Sequence, residues 1–230
     1  MTKTVVIVGA SRGIGKALVT EFAQDANLHV LALARNEAKM EAAFASLENV
    51  SCKHYDLCSP TARADMERIL ADYKNVSILV NNAGYLVNKP FLELDREDLV
   101  NSYTANAIGV FQTVQAAIPK MLDAGGHVVS ISTMGAFQGS AKFPGLAVYS
   151  SSKTGVVTMT ELLAEEFKEA NIKFNCLCLG AVQTEMLAEA FPGYQAPLSA
   201  KEMATYIHDF ACNAHQYLNG KIIPVSLSTP

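Results

Sequence analysis

Tyr149 and Lys153 stand four residues apart in the stretch Tyr149-Ser150-Ser151-Ser152-Lys153. On a helix, positions i and i+4 share a face, so this spacing sets a phenol beside an ammonium. The cation favours phenolate over phenol. That predicts a tyrosine pKa drawn down toward working pH and a side chain able to give and take a proton. The same pair also arises as an ordinary surface contact on an amphipathic helix, so its reading depends on what else the chain carries.

Near the other end lies a glycine turn, Gly9-Ala10-Ser11-Arg12-Gly13-Ile14-Gly15. It follows the β-branched run Thr4-Val5-Val6-Ile7-Val8 and precedes a helical stripe with Leu18 and Phe22. Strand, glycine turn and helix form the setting in which a phosphate meets backbone N–H groups and a helix N-terminus. Gly9 suits the tight turn, Gly13 the approach of a pyrophosphate, and Gly15 the close packing of helix on strand. The spacing is Gly-x-x-x-Gly-x-Gly, which differs from the commoner Gly-x-Gly-x-x-Gly of dinucleotide sites.

With these residues in place, the chain resembles the short-chain dehydrogenase/reductase family, whose cofactor turn reads Gly-x-x-x-Gly-x-Gly and whose active site reads Tyr-x-x-x-Lys. Three further family motifs occur in the expected order: Asn81-Asn82-Ala83-Gly84, Asn106-Ala107-Ile108-Gly109 and Ser130-Ile131-Ser132-Thr133. The resemblance spans residues 3–226, nearly the whole chain. It implies hydride transfer between a nicotinamide and a carbonyl or secondary alcohol, with the cofactor carrying the hydride and the protein handling the proton. By the same resemblance Tyr149 is the general acid in reduction, Lys153 lowers its pKa and bonds the nicotinamide ribose, and Asn106 holds a water on the proton path. An Asn at this point is equally readable as a structural kink residue. The family's serine falls at Thr133, with Ser132 before it. Neighbours in a strand point to opposite faces, so one hydroxyl alone can serve, and Thr133 is the choice.

Cofactor contacts are carried onto Gly9, Ser11, Arg12, Gly13, Ile14 and Gly15 of the turn, and onto Asp56 and Leu57 after the third strand. Asn82, Ala83 and Gly84, then Tyr149 and Lys153, then Gly180, Val182 and Thr184 complete them. At the end of the second strand, Ala34 and Arg35 stand where an acidic residue would bond the ribose of NAD. Arg35, with Arg12 inside the turn, offers bidentate contacts to a 2′-phosphate, so NADP(H) is the cofactor expected. Leu179-Gly180 departs from the family's Pro-Gly, the stretch from Thr133 to Tyr149 is a few residues longer than usual, and the tail 219–225 matches loosely.

The elements that must position these groups read as a doubly wound parallel sheet in a three-layer α/β domain covering residues 1–230. Strands are expected at 4–8, 28–34, 50–55, 76–80, 127–132, 172–179 and 221–225. Helices are expected at 14–25, 36–47, 60–74, 96–123, 150–170 and 200–213, with Pro119 bending or ending the fourth. Ligand should then sit beyond the strand C-termini, where Gly9, Asn82, Thr133 and Gly180 fall. The segment 181–199, punctuated by Pro192, Gly193 and Pro197, reads as a lid over the substrate, or else as a plain connection.

Composition fits this frame. Half of the 230 residues are hydrophobic, as a sheet covered on both faces requires. The net charge of −4 and the lack of a basic stretch argue against nucleic acid as a partner. No apolar run nears the roughly 18 residues that span a bilayer, and no signal-peptide plan precedes the first strand, so a cytoplasmic protein without a membrane partner is expected. The five cysteines lack metal-ligand spacing and read as reduced, with Cys176 and Cys178 on one strand face. No metal is expected. The expected partners are a small carbonyl or alcohol substrate and a second copy in a homodimer or homotetramer, the apolar stretch 155–160 fitting either an interface or burial within one subunit. A dinucleotide-binding sensor or scaffold without turnover remains the alternative, kept open by the altered serine position. An isomerase or epimerase of the extended fold would need more chain after Gly180.

Overall fold

A computed structural model describes residues 3–227. Of the domain expected over 1–230, residues 1–2 and 228–230 lie outside the described residues. Seven strands form one parallel sheet: β1 (Lys3–Val8), β2 (Leu28–Ala34), β3 (Val50–His54), β4 (Ile78–Asn81), β5 (Gly126–Thr133), β6 (Ile172–Leu179) and, last in sequence, β9 (Lys221–Val225). Their order is β3-β2-β1-β4-β5-β6-β9, and every pairing is parallel. The order reverses between β1 and β4. A crevice therefore opens beyond their carboxyl ends, where an open α/β sheet takes its ligand.

Period-two alternation along the strands sends side chains into two cores. Val5 and Ile7 face one layer with Val30, Val80, Val129 and Leu177, covered by α1 (Gly13–Phe22) and α8 (Ala200–Asn213). Val6 and Val8 face the other with Leu31, Leu79, Val128 and Phe174, covered by α3 (Ala62–Leu70), α5 (Gly109–Ala117) and α6 (Ala147–Glu166). Strands buried on both sides need continuous apolar runs, and this chain supplies them.

Three expectations change. The helix expected over 96–123 is broken into α4 (Arg96–Tyr103), a π-helical stretch Thr104–Ile108, then α5, and a 3₁₀ turn Ile118–Lys120 holding Pro119. The π stretch carries Asn106 and inserts a wider turn that 3.6-residue periodicity does not register. The helix expected at 150–170 begins at Ala147, so Tyr149 lies in its first turn. The segment 181–199 is more ordered than a loop. It contains α7 (Glu185–Ala190), and the short strands β7 (Val182–Gln183) and β8 (Leu198–Ser199) pair in parallel to pin its two ends together. Thr184 caps α7 by accepting the Leu187 N–H at 3.2 Å, and Ser199 with Glu202 forms a reciprocal cap on α8. The helix α2 (Glu37–Phe44) is capped by Asn36. No helix among the described residues is long and apolar enough to cross a membrane.

Candidate active site

The floor of the crevice is the turn after β1. Its Gly9 and Ala10 N–H groups donate to Leu33 O at 2.8 and 3.1 Å, which docks the turn on the end of β2. Gly9 has φ +88°, and a side-chain carbon there would lie 2.7 Å from Ala83 Cα. At Gly15 the added carbon would lie 2.0 Å from Gly9 O. Neither position can hold a larger residue without moving backbone, so turn, helix α1 and the end of β4 close on one another only through these glycines. Asn82 Nδ2 donates to Gly9 O at 3.1 Å and locks the same junction.

Lys153 reaches this junction from α6. It is 2% exposed, and its Nζ donates to Ala83 O and Ile131 O, each at 3.0 Å. Burial lowers its pKa to about 8, with Cys176 pulling the other way. Tyr149 is half-buried as a residue, but its phenol is closely surrounded by protein, and that burial pushes it up to about 12. The lowered tyrosine expected from the i, i+4 spacing is thus not found. The ammonium is directed at two backbone carbonyls, and desolvation governs both groups.

Asn106 is fully buried. Its Oδ1 accepts the Tyr85 N–H at 2.8 Å, and its Nδ2 donates to Tyr85 O at 2.7 Å and Ser152 Oγ at 2.9 Å. The side chain clips the loop after β4 onto α6. Asn106 Oδ1 and Lys153 Nζ nevertheless converge: a carbon added at Gly84 would lie 3.4 and 3.2 Å from them.

The two hydroxyls at the end of β5 differ in what they do with their protons. Ser132 is buried and its Oγ donates to Lys153 O at 3.2 Å. Thr133 Oγ1 accepts the Gly135 N–H at 3.3 Å, which leaves its own O–H free to donate. Both line the crevice.

The crevice is one cavity of about 1110 Å³. Of the residues singled out by sequence, Gly15 and Asn106 lie behind its wall and all the others line it. The two arginines are not equivalent. Arg35 is exposed and has no ion pair among the described residues, whereas Arg12 Nη1 pairs with Glu189 Oε1 of α7 at 2.7 Å. At the end of the same helix Asn88 Nδ2 donates to Ala190 O at 2.9 Å, so α7 is tied both to the glycine turn and to the loop after β4. Neither tie is legible in sequence, since the partners stand 177 and 102 positions apart. Ser140 also lines the cavity, with its Oγ held among the carbonyls of Met134 and Phe137 and the Lys142 ammonium. Cys176 and Cys178 are buried and unpaired, while Cys58 is exposed at the cavity edge.

A crossed glycine cradle, an unpaired guanidinium at the end of β2 and a buried ammonium beneath the crevice form a donor set suited to a phosphorylated dinucleotide. The model for short chain dehydrogenase matches residues 3–195. Carbonyl reductase family member 4 of Danio rerio is 32% identical over 193 residues, covering 82% of this chain and 79% of that one. The 3-oxoacyl-(acyl-carrier-protein) reductase of Staphylococcus aureus strain Mu50 is 26% identical, covering 81% and 77%. Among solved structures, ElxO with NADP bound superposes with a TM-score of 0.87 at 25% identity, covering 98% of each chain.

Proposed function

The chain belongs to the short-chain dehydrogenase family, and from that premise we propose that it is an NADP(H)-dependent oxidoreductase that interconverts a carbonyl and a secondary alcohol, with Tyr149 as general acid/base. The observation that carries the reading is the convergence of Tyr149, Lys153 and the free Thr133 hydroxyl on one cavity with the glycine turn. The NADP in the ElxO structure supports the choice of cofactor, as does Arg35 at the end of β2.

When bound, the nicotinamide supplies a hydride to the carbonyl carbon. The glycine turn and the N-terminus of α1 hold the pyrophosphate, and Arg35 takes the 2′-phosphate as a charge-assisted pair. Tyr149, a phenol at neutral pH because burial raises it to about 12, keeps its proton until negative charge develops on the substrate oxygen, and then donates it. The Lys153 ammonium, held by the Ala83 and Ile131 carbonyls, places a positive charge beneath the same cavity and favours proton release from the phenol through the field of that charge. Thr133 donates a hydrogen bond to the same oxygen, where charge grows in the transition state. Asn106 positions the loop after β4, and through it Ala83 O against Lys153. A second copy is proposed to cover the outward stripe Leu99, Tyr103 and Phe111 of α4 and α5, each more than 40% exposed at helical spacing. Light scattering showing a monomer at micromolar concentration would remove that part.

The test is NADPH fluorescence on titration, followed by NADPH consumption across a carbonyl panel. Binding with turnover supports the reading, and tight binding with no turnover on any carbonyl makes the protein a sensor. Thr133→Val should lower turnover about 100-fold while Ser132→Ala leaves it within a few-fold. Full activity in Thr133→Val defeats the hydroxyl assignment.

A further inference from the structure

We infer that the substrate is an uncharged ketone carrying a sizeable apolar arm, an inference that rests on the reductase reading above and names the substrate class of that same cavity. The charged side chains lining the cavity are Arg12, Arg35, Asp56, Lys153 and Glu185. Four of these belong to the cofactor end or its base. Arg12 is in the glycine turn, Arg35 and Asp56 follow β2 and β3, and Lys153 bonds the carbonyls of Ala83 and Ile131. The fifth, Glu185, has its Oε2 within 3.5 Å of a carbon added at Gly13, so it also belongs to the turn.

Away from these charged groups the cavity is lined by Leu86, Met134, Leu146, Met186, Leu187 and Phe191, with no charge among them. Its mouth is aromatic and apolar. Phe143 is 60% exposed, Tyr194 49%, Val100 46% and Tyr85 41%, and all four line the same cavity. Large apolar side chains left in water around an opening mark a surface that a ligand covers. The two lysines on neighbouring loops do not line the cavity, and their ammonium groups are turned to protein partners. Lys89 pairs with Asp98 at 2.6 Å, and Lys142 donates to Phe137 O at 2.6 Å and Ser140 Oγ at 2.8 Å. A carboxylate, or the phosphate of a carrier-bound thioester, would enter here with no cation among these lining residues to meet it, and an unpaired buried charge is strongly disfavoured. A neutral arm instead gains apolar contact along the lid helix α7 and the Met134–Leu146 wall.

The experiment compares nonan-2-one with 8-oxononanoate, which differ by a terminal carboxylate in place of a methyl group. Each is titrated by calorimetry into the full protein saturated with NADP⁺, and each is then assayed for NADPH consumption. Nonan-2-one should bind about 100-fold more tightly than 8-oxononanoate and show a similar advantage in kcat/KM. Phe143→Ser, a change at an exposed site, should shrink the advantage of nonan-2-one over butan-2-one several-fold. Equal binding of the two nine-carbon ketones, a preference for 8-oxononanoate, or binding of neither overturns the inference. Selective binding of nonan-2-one without NADPH consumption upholds it and defeats the reductase reading instead. Consumption of NADPH with 8-oxononanoate as the better substrate does the reverse.

Discussion

The two ends of the cavity are built on opposite physical terms. At the cofactor end, backbone meets backbone: Gly9 faces Ala83, Gly15 faces Gly9 O, and Asn82 bonds across the junction. At the 181–199 end, α7 contains no buried residue; the segment's ends are anchored by Val182 and Leu198 in the core and by the β7–β8 ladder, while α7 itself meets the rest of the chain through the Arg12–Glu189 ion pair and the Asn88–Ala190 hydrogen bond. A site defined by main-chain approach accepts one ligand shape and tolerates little substitution. A segment tied by a few polar contacts can open, and can change its side chains without disturbing the sheet. On the proposed function, cofactor recognition falls to the rigid end and substrate choice to the loosely held one.

Tyr149, where the two ends meet, tests the comparison most severely. Tyr149→Phe should reduce turnover about 1000-fold while NADPH affinity stays within a few-fold, because the proton is given in the transition state and the dinucleotide rests on the turn. Parallel loss of affinity would mean that the two ends are not separable. The same junction has a pH signature. Lys153 is held at about 8 by burial, so it is charged below that value and neutral above it. The kcat/KM for reduction should fall as pH rises through about 8, and a flat profile to pH 10 removes the ammonium from the mechanism.

Next in size is Gly15→Ala. The new carbon would meet a backbone oxygen at 2.0 Å, so α1 must shift, and NADPH affinity should drop about 100-fold with a lower Tm. Wild-type affinity in a folded variant would show that the rigid end is not rigid. A smaller change is expected from Arg35→Asp, which replaces an unpaired cation with a repelling charge. The NADPH-to-NADH affinity ratio should fall by about tenfold or more, and competition titration giving an unchanged ratio would place the 2′-phosphate elsewhere.

The smallest effect is expected at the tie between the two ends. Arg12 and Glu189 are 42% and 63% exposed in their side chains, and such pairs contribute little in water. Glu189→Gln should free Arg12 and raise NADPH affinity about threefold, with Tm unchanged. A fall in affinity would show that the hold of α7 on the turn aids binding.

Much of this was legible in the chain. The doubly wound parallel sheet followed from alternating apolar runs and helical stretches, and the place of the crevice from where Gly9, Asn82, Thr133 and Gly180 fell. What stayed hidden has physical causes. The π stretch around Asn106 is decided by packing of α4 and α5 against their neighbours, which local periodicity does not encode. Arg12 looked equivalent to Arg35 because sequence shows a charge but not its partner.

Local residue types were enough to determine that a β-branched strand enters a glycine turn and that a tyrosine and a lysine share a helix. Those outcomes depend on sterics and spacing within a few residues. Tertiary structure alone decided the protonation of that pair, the separate fates of the Ser132 and Thr133 protons, and the gathering of uncharged apolar residues along one part of the crevice. Each of these depends on desolvation and on partners brought from far along the chain, and such terms exist only once the sheet has closed around them.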